Sequence, residues 1–219
     1  MARRTDALSK ERIVEVATGI LDAGGEDALT FRTLTTRLST GYGAIYHHVA
    51  NKGELLAAAT DEVVSGVIAG LDGGADPREG LRALALGLFD AIDTHPWVGA
   101  QLAAQPSRPA LLDVYERVGE RLHALGVPEP SLFDAAGALV NYVLGVAGQN
   151  AANARVLAHD DADRSTYLAT VAAQWEDLDP ERYPFVRRAA TRLADHDDRA
   201  QFLAGVDLIL AGIGAVHGR

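Results

Sequence analysis

Between Ala28 and Gly53 the chain carries Arg32, Arg37, Lys52, His47 and His48 and not one acidic residue. The whole chain has 219 residues and a formal charge of -10. A local cationic face in an acidic protein suits a polyanion such as nucleic acid. Inside this stretch Leu34, Leu38, Ile45 and Val49 sit where they would lock two short helices together. That leaves Tyr42, Gly43, Ala44, Tyr46 and His47 on the free face of the second helix, available to a major groove. Gly43 and Ala44 are small enough to let the backbone come close to DNA. The pattern reads as a helix-turn-helix, although short amphipathic helix pairs are common and spacing by itself is weak support.

Other chemistry finds less support. With no cysteine there are no disulfides, thiolate metal sites or cysteine nucleophiles. Gly41-x-Gly43 lacks the third glycine of a dinucleotide fingerprint, and no G-x-S-x-G, H-E-x-x-H or P-loop occurs. His159-Asp160-Asp161-x-Asp163 and Asp195-His196-Asp197-Asp198 contain metal-compatible groups, but solvated acidic loops account for both better. Asp207 lies in an apolar stretch and needs a partner if buried, with a cap or cross-interface hydrogen bond favoured over catalysis. No catalytic residue, metal or cofactor is assigned.

The elements that must hold these residues read as helices throughout. Ser9 caps a helix carrying Ile13, Val16, Ala17, Ile20 and Leu21, and Gly24-Gly25 ends it. Thr30 caps a second, short helix. A third is predicted over 41–49, and a longer one over 54–71. Apolar periodicity continues near 78–94, 97–104, 108–125, 131–156, 164–177, 182–194 and 199–216, with prolines between or at the starts. No strand-type alternation is present. Hydrophobic residues make up 48% of the chain, enough for a sizeable core, so disorder is excluded. Residues 1–56 balance seven basic against seven acidic residues, so the net charge lies in the rest. The apolar runs Ala135–Gly148 and Leu203–Val216 fall short of the roughly eighteen residues of a membrane span, and the N-terminus lacks a signal-peptide pattern. The expectation is a cytoplasmic, all-α protein without membrane contact. It comprises an N-terminal three-helix DNA-binding domain, residues 1–53, and a C-terminal helical effector-binding and dimerisation domain, residues 54–219, joined through helix 54–71.

The run Leu38-Ser39-Thr40-Gly41-Tyr42-Gly43-Ala44-Ile45-Tyr46-His47-His48-Val49, followed by Asn51-Lys52-Gly53-Glu54-Leu55-Leu56, resembles the TetR family of transcriptional regulators. The resemblance covers roughly residues 8–60. Looser similarity extends to His95-Pro96-Trp97, Leu139–Gly145 and the segment from Phe202 to Gly212. Departures are Ser39-Thr40 where the family has Gly-Val in the turn, Thr35 where it favours Ala, and Gly41 in place of a Ser or Thr cap. The resemblance implies that Tyr46 and Lys52 contact phosphates, with His48 and Thr30 as weaker candidates. Arg32 would reach guanine, and Tyr42, Gly43, Ala44 and His47 would face the groove. Plainer roles stay open: Tyr46 as core, Lys52 as a solvated charge, Arg32 as an ion-pair partner, and His47 and His48 as surface groups.

In the C-terminal part, Gly137, Asn141, Gly145 and Gly148 form one stripe of small residues, and Gly205, Ile209, Gly212 and Val216 another. By the resemblance these would pack against a two-fold mate as a four-helix bundle. Packing within one subunit is the alternative. An effector cavity is expected between helices 54–71, 78–94, 108–125 and 131–156. Its candidate contacts are Phe89, Trp97, Tyr115, His123, Asn141, Tyr142 and Gln149, with Phe133 and Asn150 also near in sequence. The effector is expected to be largely hydrophobic, neutral or cationic. The chain therefore reads as a homodimeric repressor of double-stranded operator DNA, released by a small molecule. The rivals are a helical enzyme or small-molecule carrier using the same pocket, and a purely structural adaptor.

Overall fold

A computed structural model of the chain describes residues 8–71, 76–105, 107–159, 164–193 and 195–217, and the description of 154–159 is limited to backbone. Eleven helices, and no strand, occur among the described residues. They are α1 Lys10–Ala28, α2 Phe31–Leu38, α3 Tyr42–Tyr46, α4 Lys52–Ala69, α5 Pro77–Thr94, α6 Trp97–Ala104, α7 Pro109–Ala124, α8 Glu129–His159, α9 Arg164–Glu176, α10 Pro184–Ala190 and α11 Asp198–His217.

Local chemistry sets most helix starts. The side chains of Ser9, Thr30, Asn51 and Asp76 accept backbone N–H groups of the first turns of α1, α2, α4 and α5. Pro77, Pro109 and Pro184 each stand at a first helical position, where a missing N–H costs nothing. Asp197 Oδ1 accepts from the N–H groups of Arg199 and Ala200, so this part of the acidic 195–198 run starts α11. The other metal-compatible group, at 159–163, lies outside the residues whose side chains are described.

Three sequence expectations are corrected. Gly25 does interrupt α1, at φ 69° and ψ -168°, but helical geometry resumes and runs to Ala28. α3 is five residues, Tyr42–Tyr46, not the nine of 41–49, because Gly41 offers no capping side chain and His47-His48 turn the chain so that Val49 is buried. The periodicity over 182–194 yields only the seven residues of α10.

The core is one continuous cluster. Ile13, Ala17, Ile20, Leu34, Ile45 and Val49 hold α1–α3 together, and Leu55 and Ala59 of α4 carry it onward. Farther along, α5, α7 and α8 pack side by side, and α11 lays Phe202, Val206 and Leu210 against α5 and α8. α9 packs on α10. By length and composition alone α8 and α11 would each suffice to cross a membrane, which the interrupted apolar runs of the sequence did not indicate. Here part of each is buried in the bundle instead. Asp207 of α11 finds the partner its setting demands: Arg82 of α5, at 2.5 Å.

Candidate functional site

α2 and α3 meet through Ser39-Thr40-Gly41, a turn whose left-handed residue is not a glycine. Ser39 is that residue, at φ 51°, ψ 45°, the one non-glycine residue at positive φ among those described. Its N–H closes the end of α2 on the carbonyls of Thr35 and Thr36. Ile45 is fully buried, so α3 is pinned by its centre and its outer face stays free. On that face Tyr42, Gly43, Ala44, Tyr46 and His47 are all exposed, Tyr42 and Tyr46 at 50% and 52%. The five groove candidates therefore share one accessible surface. Nothing lies within 4 Å of where a side chain on Gly43 would begin, so the helix there presents bare backbone.

Neighbouring groups frame this face. Tyr46 is not core; its ring stacks on Phe31 at 4.6 Å, which fixes the hydroxyl end outward. His48 is half-buried and its ring meets His47 edge-on. Arg32 is exposed at the start of α2 and makes no ion pair among the described residues. The Thr30 hydroxyl accepts the N–H of Thr33 at 3.0 Å and so acts as a cap. Lys52 is half-buried and its ammonium donates to the Glu26 carbonyl, tying the start of α4 to the end of α1. An ammonium has three N–H donors, and this bond uses one.

Below the head, the end of α1 is bolted to α6. Trp97, 2% exposed, donates its indole N–H to Asp22 at 2.8 Å, and His95 Nδ1 pairs with the same oxygen at 2.7 Å. Gln101 donates to the Glu26 carboxylate at 2.5 Å. Trp97, one of the candidate effector contacts, lines an open cleft of about 670 Å³ beside the end of α1, not the cavity inside the bundle. It is a fastener between head and bundle. Asp22, Glu26 and Gln101 were missed, since nothing local marks a helix-end carboxylate as the partner of a residue some 75 positions away.

Within the bundle, α5, α6, α7 and α8 enclose an apolar cavity of about 10 Å³, room for roughly one water. Its walls are Leu, Val and Ala alone, among them Leu88, Leu102, Leu111, Val118 and Val143. α4 contributes nothing to it. None of the candidate ligand residues lines it. Phe89 stacks on Phe202 at 4.6 Å, and Tyr142 stacks on the other side at 5.6 Å while its hydroxyl donates to the Phe202 carbonyl. Burial raises the Tyr142 phenol above its ordinary value. Tyr115 is half-buried, His123, Asn141 and Gln149 are exposed, and Phe133 is 79% exposed. Asn150 borders a separate, polar surface cleft.

The small-residue stripes divide. Gly205 faces Tyr142 of its own subunit, and a Cβ there would fall 1.8 Å from the phenol oxygen. Gly148 approaches Gly99 of α6, and Ile209 is half-buried against the core. Gly205 and Ile209 thus have contacts within the subunit, whereas a Cβ on Gly148 would meet nothing within 4 Å. Gly137, Gly145 and Gly212 meet nothing within 4 Å, and with exposed Asn141, Leu208 and Val216 they leave an open strip on α8 and α11.

Residues 70–217 match the family model described as tetracyclin repressor-like, C-terminal domain. The chain belongs to the TetR family. A TetR transcriptional regulator of Streptomyces coelicolor, SCO7222, superposes with a TM-score of 0.87 at 48% identity, covering 96% of this chain and 99% of that one. ActR of the same organism, in complex with actinorhodin, superposes with a TM-score of 0.76 at 25% identity, covering 98% and 99%. The HTH-type transcriptional repressor DrrR1 of Streptomyces coeruleorubidus is 32% identical over 173 residues, 77% of this chain. This TetR-family chain spans 60% of the length of that repressor. The family is one of regulators, not generally of enzymes.

Proposed function

We propose that this chain is a cytoplasmic, homodimeric transcriptional repressor that binds a palindromic operator and is released by a small hydrophobic effector. Residues 1–53 form the DNA-binding unit and 54–219 the effector and dimer unit, with α4 as the link. The exposed face of α3 carries the proposal: five small or aromatic residues around a buried Ile45, flanked by exposed Arg32 and a region without acidic groups. Tyr42, Gly43, Ala44 and His47 meet base edges, Arg32 pairs with guanine, and Tyr46, His48, Thr30 and Lys52 hold phosphates.

Effector and dimer roles follow from the bundle. A molecule entering among α5–α8 must open a cavity that is closed here, which shifts helices and with them α4. The open strip on α8 and α11 is the two-fold contact, holding two heads one DNA turn apart, about 34–36 Å. Kinship with a helix-turn-helix repressor and with a regulator bound to a small molecule supports both parts.

A gel shift of the full-length protein against the DNA flanking its own gene tests the proposal. Retardation that weakens steeply with salt is expected. No shift on that DNA, or a shift indifferent to salt, overturns it.

A further inference from the structure

The connection between α6 and α7 holds a buried charge with no ion-pair partner among the described residues. Arg108 is 5% exposed, and a guanidinium stays protonated in proteins. Its bonds run to neutral acceptors: Nε donates to the Gln101 carbonyl at 3.1 Å, and Nη2 to Gln101 Oε1 at 3.0 Å and Gln105 Oε1 at 3.4 Å. Nη1 is buried and has no partner among the described residues. Arg108 takes part in no ion pair among them either. A buried cation without an anion is expensive, and arginine cannot escape the cost by losing its proton as lysine does.

The surroundings say what would balance it. Arg108 is not itself in the lining of the apolar cavity, but Leu102 of α6 before it in the chain and Leu111 of α7 after it are, and its carbonyl accepts the Leu111 N–H at 3.0 Å. A guanidinium presents a planar fork of donors that matches a carboxylate. We propose that Arg108 is the anion-recognising group of the effector site, and that the effector is an apolar molecule bearing a carboxylate or similar acid. This rests on the proposed effector role of the C-terminal domain, and it replaces the neutral or cationic ligand expected from sequence. The site also touches the link to the head. Asp61 of α4 accepts the N–H of Ala110 at 3.2 Å, two residues from Arg108. An anion arriving at the start of α7 repels that carboxylate and loosens α4 from α7.

The test titrates the full-length protein calorimetrically with naphthoate and with neutral naphthamide of nearly the same shape. Wild type should bind naphthoate about ten- to a hundredfold more tightly, the usual range for a charge-assisted hydrogen bond. Arg108→Gln should erase the preference, and Arg108→Lys, keeping charge without the fork, should retain part of it. Arginine side-chain NMR of wild type supplies a readout that needs no variant: naphthoate, not naphthamide, should shift an Nη resonance. Equal affinity for both compounds, or a preference that survives in Arg108→Gln, overturns the role of Arg108 and leaves the repressor proposal standing. Binding of neither compound also overturns it, and the operator gel shift then decides independently whether the repressor proposal stands.

Discussion

Gly205→Ala pits two effects against each other in one methyl group. Alanine in the interior of α11 gains about 0.5–1 kcal/mol of helix propensity over glycine. Against that, the new Cβ would lie 1.8 Å from the Tyr142 oxygen and 2.4 Å from Cζ, so the ring must leave its place. Leaving breaks the hydroxyl bond to the Phe202 carbonyl, about 1 kcal/mol, and the stacking on Phe202, about 0.5–1.5 kcal/mol. Any ring that stays overpacks the contact, at about 1–3 kcal/mol. The clash wins, and a net loss of about 0.5–2 kcal/mol is expected. Urea denaturation followed by circular dichroism, at fixed protomer concentration, measures it. Gly19→Ala, exposed with nothing within 4 Å, is the control and should gain about 0.5–1 kcal/mol. In a Tyr142→Ala background Gly205→Ala should change sign and become stabilising, because its obstacle is gone. A Gly205→Ala protein as stable as wild type, or the same loss in both backgrounds, would refute the reasoning.

Lys52→Ala should weaken binding to all DNA sequences alike and make the salt slope shallower by about one unit, as measured by gel shifts across salt concentrations; an unchanged slope removes Lys52 from the phosphate contacts. Glu54 accepts the Ala50 N–H at 2.8 Å and then the Lys10 ammonium at 3.2 Å, which hold its carboxyl below the ordinary value. Its contribution is thus present above the unfolded value, near 4.3, and is lost as pH falls through the lowered folded one. Glu54→Gln should flatten that acid limb of a thermal-melt pH series, and an identical limb in both proteins counts against it. Gly145→Leu meets open space within the subunit, so it should fold normally yet sediment as monomer with poor operator affinity; a dimer in ultracentrifugation places the interface elsewhere.

Helix existence was legible because its signals are local. Ser9 and Thr30 cap, Pro109 and Pro184 open, and the apolar spacing shows the buried face. The exposed face of α3 was legible too, since one buried Ile45 fixes which side faces out. Pocket membership was not. Trp97, Tyr142 and Phe89 looked like ligand contacts because polar-tipped and aromatic groups stand out on apolar helices, yet each found a protein partner on a distant element. The walls of the cavity among α5–α8 are plain Leu, Val and Ala, which in sequence cannot be told from ordinary core. Arg108 escaped notice because a lone arginine before a proline looks like surface; in the structure it is buried, with its guanidinium turned back onto Gln101 of α6 and Gln105.

The bolt at the end of α1 changes what kind of machine this is. Were the head joined to the bundle by α4 alone, it would hang on a single pivot and swivel through many orientations. Trp97, His95 and Gln101 add a second attachment, through Asp22 and Glu26, which stand on either side of the Gly25 kink in α1. Two struts that meet one platform at different points form a linkage. A small slide of α6 relative to α4 then becomes a tilt of the platform, with the tilt angle fixed by the separation of the struts. Loosening either strut would not merely weaken the joint. It would turn a geared motion into free play, so that the bundle could change state without moving the head at all.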